Sequence, residues 1–75
     1  MSKDDILTII QMYHPNDGWI NRSQIAQALD RPHKLLTTDD IWTLRELTAD
    51  ELIVMRRVPY DIDPQQTFVQ YKARS

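Results

Sequence analysis

Arg22, Arg31, Lys34, Arg56 and Arg57 gather in two stretches of a chain that is acidic overall. Residues 22–34 carry a formal charge of +2 and residues 52–75 another +2, against −2 for residues 1–21 and −4 for residues 35–51. Guanidinium and ammonium groups make charge-assisted bonds to phosphate, and a local basic patch can hold a polyanion whatever the total charge. A solvated surface with ordinary charge scatter has the same arithmetic. Between the two basic stretches, Arg45 and the hydroxyls of Thr37 and Thr38 could add contacts.

The acids at Asp39 and Asp40 oppose that chemistry. Carboxylates repel phosphate, although one can accept from cytosine N4 in direct readout. They also suit the positive end of a helix dipole, which needs no ligand. A third reading joins Asp39 and Asp40 with Trp42 and Glu46 as a surface for a basic protein partner. Exposed, Trp42 is an interface anchor; folded over the core, it is packing.

Catalysis has little to build on. The chain has no cysteine and two histidines, His14 and His33, which fall in different loops without an acid at ligand spacing. A zinc site would need carboxylates from unrelated segments. Asp61 and Asp63 bracket Ile62, but the stretch lacks the glycine and ligand spacing of a calcium loop. No nucleophile–base pair, phosphate loop or dinucleotide motif is present. The expectation is a protein without enzymatic activity, cofactor or metal.

The elements that must position these residues follow from spacing and punctuation. Ile6, Ile9, Ile10 and Tyr13 form an apolar stripe at helical spacing, widened by Leu7 and Met12, with Ser2 as a cap and His14-Pro15 as the stop. The stretch "PNDGWIN" holds the only glycine, Gly18, and predicts a turn with positive φ leading to a short strand near Trp19-Ile20. A second helix runs from an Asn21 or Ser23 cap to about Leu29, with Ile25, Ala26 and Leu29 inward. Pro32 holds Arg31 extended in the following link. Thr37 or Thr38 caps a third helix, and Thr37 with Asp40 resembles a capping box. That helix has Ile41, Leu44 and Leu47 inward and continues toward Leu52. Residues 53–58 and 67–72 then read as antiparallel strands.

"RSQIAQAL", then "TLRELTADELIVMRR", then the hairpin resemble the winged helix-turn-helix family. Ile25-Ala26 and Leu29 match its second-helix core pattern. Leu44, Leu47 and Leu52-Ile53 match the pattern that closes the third helix and opens the first wing strand. Glu51 stands where many members have glycine. The resemblance covers about residues 4–73. It implies a fold of class α+β: three helices and a C-terminal two-stranded hairpin. It also implies that the third helix enters the major groove of double-stranded DNA. The family's phosphate contacts then fall on Arg22, Lys34, Thr37, Thr38, Arg45, Arg56 and Arg57. Many winged helices bind proteins instead, so the shape does not choose between partners.

The 75 residues suffice for one small domain, read here as residues 1–75. No stretch approaches the roughly 18 apolar residues of a membrane span, and the opening "MSKDDILTII" lacks the long apolar run and cleavage site expected of a signal peptide. The expectation is a cytoplasmic transcriptional regulator, or an accessory factor of one, that binds DNA; the alternative is a protein-interaction module. Such modules often act as symmetric pairs. A homodimer would use the stripe of helix one or the edge of the C-terminal strand.

Overall fold

A computed structural model describes residues 3–74 of the chain, and for Lys3 the backbone alone. The cap expected at Ser2 lies outside these residues. Helix α1 spans Lys3–Met12, with Asp4 and Asp5 in its first turn. Its stripe goes into the core. Ile6 and Ile10 are buried, and Leu7, Ile9 and Tyr13 pack against them. Only Met12, 70% exposed, is left outside. The surplus apolar surface expected on this helix for a dimer is therefore consumed by the fold.

After His14 the chain turns through Pro15–Gly18, where Asn16, Asp17 and Gly18 all have positive φ (54°, 57° and 89°). A Cβ at Gly18 would meet only ordinary contacts, so the dihedral angle, not space, favours glycine. Strand β1, Ile20–Asn21, follows one residue later than expected. Asn21 then caps helix α2, Arg22–Ala28, in a reciprocal box with Gln24. The helix ends in a Schellman motif. Asp30, with φ 59°, donates its N–H to Gln27 O, and Arg31 donates to Ala26 O.

Thr37 caps helix α3, Thr38–Ala49, and Asp40 completes the box. The inward face is Asp40, Leu44 and Leu47, with Ile41 only half-buried. The expected apolar stripe is thus rotated, because an acid occupies the place one turn before Leu44. The helix stops at Ala49, short of Leu52. Glu51 takes φ 62°, its N–H reaches Thr48 O, and Leu52 N–H reaches Leu47 O. This is a second Schellman motif, with glutamate at the position glycine fills most easily.

Strand β2, Ile53–Pro59, pairs antiparallel with β3, Thr67–Ala73, from Ile53↔Ala73 to Pro59↔Thr67. β1 adds to the far side of β3 at Tyr71 and Gln70, giving a three-stranded sheet in the order β1-β3-β2. The chain is an α+β fold of three α-helices and this sheet. The C-terminal strand β3 is central, flanked by β2 along its length and by β1 at Gln70 and Tyr71 alone.

Alternation sorts the sheet into two faces. Ile53 and Tyr71 lie on the face toward the helices and join the core with Ile6, Ile10, Ile20, Ile25, Leu44 and Leu47. Met55 and Arg57 share that face of β2, beyond the edge of the core. Val54, Arg56 and Val58 pair with Lys72, Gln70 and Phe68 on the opposite face. No helix among the described residues is long and apolar enough to cross a membrane.

Candidate functional site

Three arginines from three elements line one groove. Arg22 opens α2, Arg45 lies on α3 directly after the buried Leu44, and Arg57 points from β2 toward the helices. The groove between α3 and β2 has a volume of about 500 Å³, with Ile41, Leu44, Ala49 and Met55 among its apolar walls. A neighbouring groove of about 570 Å³, between the start of α2 and the hairpin, is also bordered by Arg22 and Arg57. The two arginines are therefore the shared rim of both.

Two of the three cations have a defined seat. Arg22 donates from Nε to Tyr71 Oη at 3.0 Å, and the tyrosine ring is buried. Arg45 lies 5.3 Å from the ring centroid of Trp42, within cation–π range. Arg57 makes no hydrogen bond or ion pair with another described residue, so its guanidinium is open to a ligand. Planar guanidinium groups suit phosphate and carboxylate oxygens, which they can meet with two parallel bonds.

Arg31 and Asp40, expected on two different surfaces, occupy each other. Arg31 donates from Nε and Nη2 to the two carboxylate oxygens at 2.9 and 3.0 Å, while Thr37 N–H donates to the same group at 2.9 Å. Asp40 is 2% exposed. The hydrogen bonds from Arg31, aided by those from Thr37, outweigh burial and hold its carboxyl at about 2, against an ordinary 3.8. The hydrogen bond to Asp40 raises the Arg31 guanidinium above its ordinary value. Asp40 is therefore no interface residue, because it lies inside the fold. Arg31 spends its paired donors on it, and both charges are neutralised locally.

Arg56 departs from the basic patch for a different reason. Its guanidinium lies 4.0 Å from the ring centroid of Trp19, its Nε donates to Gln70 Oε1 at 2.7 Å, and Lys72 Nζ approaches the same ring at 5.8 Å. Adjacent strand residues point to opposite faces. Arg56 is thus on the side of the sheet away from α3, and Lys34 is in the turn Pro32–Lys34 just before α3. Arg56 therefore faces away from the groove that Arg57 lines.

The remaining candidates are distributed along α3. Thr37 serves as the cap, and its neighbour Thr38 is exposed. Asp39 and Glu46 are exposed, and Trp42 is 57% exposed and not folded over the core. Tyr71 and Met55 were missed as groove residues. Their signal was alternation: both share the inward parity of Ile53. Among the described residues no group of three or more His, Cys, Asp or Glu side chains could hold a metal ion. The chain matches no protein-family model, no curated protein and no solved structure.

Proposed function

We propose that this chain is a winged helix-turn-helix domain that binds duplex DNA without catalysing a reaction, as a small transcriptional regulator or an accessory factor. The order of elements and the hairpin after α3 support the family reading. So does Glu51 with φ 62°, a left-handed residue where the family favours glycine. The observation that carries the DNA reading is the convergence of Arg22, Arg45 and Arg57 beside α3. Arg22 and Arg57 contact successive phosphates from the shared rim of the two grooves, and Arg45 contacts the backbone from the helix. The withdrawal of Asp40 into its pair with Arg31 leaves Asp39 as the acid at the start of this surface.

Fluorescence titration of a labelled duplex tests it. Replacing Arg45 and Arg57 with alanine weakens binding to all sequences alike. It also makes the slope of log affinity against log salt shallower by about one per lost contact. Unchanged affinity and slope in this variant remove the groove from the function.

A second reading rests on Trp42. A tryptophan that is 57% exposed beside an arginine, with Glu46 one turn on, is the composition of a protein-binding hot spot. On this reading Trp42→Ala weakens capture of a protein partner by more than about tenfold.

A further inference from the structure

Ile62 is 98% exposed, more than any other large hydrophobic side chain among the described residues. It stands between Asp61 and Asp63 at the tip of the β2–β3 hairpin. The tip is braced. Tyr60 N–H donates to Gln66 O and Gln66 N–H to Asp63 O, both at 3.0 Å. Gln65 N–H donates to Asp63 Oδ1 at 3.2 Å, and the rings of Tyr60 and Phe68 meet with centroids 4.9 Å apart. An aliphatic side chain between two carboxylates therefore stands exposed just before a hydrogen-bonded turn at residues 63–66.

The groove between α3 and β2 is its chemical complement. Ile41, Leu44, Ala49 and Met55 give apolar walls, and Met55 is 47% exposed. Arg22, Arg45 and Arg57 supply positive charge around them. We propose that this groove receives the hairpin tip of a second copy of the chain. Ile62 enters between the apolar walls, and Asp61 and Asp63 meet the arginines. A copy's own tip does not reach, because Arg57 lies on the same hairpin and the register Arg57↔Val69, Val58↔Phe68, Pro59↔Thr67 keeps that hairpin extended. Reciprocal exchange about a two-fold axis lets each copy give one tip and receive one. The assembly then closes as a dimer with the α3–β2 groove of each copy filled. This contact differs from both routes the sequence suggested, helix one and strand-edge pairing. It does not rest on the DNA reading. Where both hold, the dimer and duplex DNA compete for the same arginines.

Sedimentation equilibrium of the full chain without DNA tests the proposal. In low salt, the wild type dimerises with a Kd between about 1 μM and 1 mM, and added salt weakens the association. Ile62→Asp, at a fully exposed position that no core contact needs, weakens it at least tenfold. Arg45→Glu with Arg57→Glu does the same. Neither this chain nor one carrying Asp61→Arg with Asp63→Arg self-associates, but an equimolar mixture of the two forms a heterodimer. Circular dichroism checks that each variant is folded. A wild type that stays monomeric to about 1 mM overturns the proposal. So does a dimer indifferent to Ile62→Asp, or folded charge-swapped chains that do not associate when mixed.

Discussion

Replacing Asp40 with alanine removes a buried acid, yet it should destabilise the domain. The carboxylate accepts two bonds from Arg31 and one from Thr37 N–H, all between 2.9 and 3.0 Å. Hydrogen bonds to a charged group contribute about 1.5–3 kcal/mol each when their loss strands the partner. Arg31, at 20% exposure, is not fully stranded, because water can reach it. The loss from Asp40→Ala is therefore about 2–3 kcal/mol, a large share of the roughly 4–11 kcal/mol expected for a domain of this length. Asp40→Asn keeps an acceptor for the cap and should lose about half as much. Acid supplies an independent arm. The folded carboxyl sits at about 2 and its ordinary value is 3.8. A depressed folded value means that its contribution is present above about pH 4 and is lost as pH falls toward 2. Urea melts at pH 7 and at pH 3 should show a smaller gap between wild type and Asp40→Asn at the lower pH. Arg31→Met should behave oppositely to a harmless surface change and be most damaging at pH 7, where it leaves a buried charge unpaired. If Asp40→Ala melts within 0.5 kcal/mol of wild type at pH 7, the pair does not carry the junction between α2 and α3.

Leu44→Ala, at a residue 1% exposed in the middle of the inward face of α3, should cost about 2–5 kcal/mol in a urea melt; a loss under 1 would place that face elsewhere. Glu51→Gly should stabilise by up to about 1 kcal/mol, since relief of a left-handed residue exceeds the added freedom of the unfolded chain. Its ion pair with Arg74, 3.5 Å long and exposed at both ends, offsets little of this. Thermal denaturation of that variant should show a raised midpoint, and a fall of several degrees contradicts the assignment of strain to this residue. Asp39→Asn should tighten nonspecific duplex binding by removing a carboxylate from the start of α3, whereas a protein complex built on the acid would weaken.

Much of the architecture was legible before the structure. The Thr37–Asp40 and Asn21 caps, the stop at His14-Pro15 and the alternation in residues 67–73 depend on near neighbours, and each is found in place. What sequence could not show depended on partners brought together by the fold. The inward face of α3 reads naturally as Ile41, Leu44 and Leu47. Asp40 displaces Ile41 because Arg31, which precedes α3 in another segment, neutralises it. Without that pair, burying the carboxylate would be prohibitive. Strand alternation alone sends Arg56 and Arg57 to opposite faces but does not say which partners await them: Arg56 meets Trp19 and Arg57 lines the groove. The groove itself joins Arg22, Arg45 and Arg57 from three elements, and no local pattern encodes that meeting. Charge sums over segments therefore found the basic stretches but could not show which cations line one groove.

We propose above all that the arginine groove beside α3 holds the phosphates of duplex DNA. Titration of the wild-type chain against a labelled duplex at 50 mM and 200 mM salt tests it most directly. With about three phosphate contacts, the affinity should fall by roughly 40-fold between the two conditions. No binding at the lower salt, or an affinity that salt leaves unchanged, contradicts it.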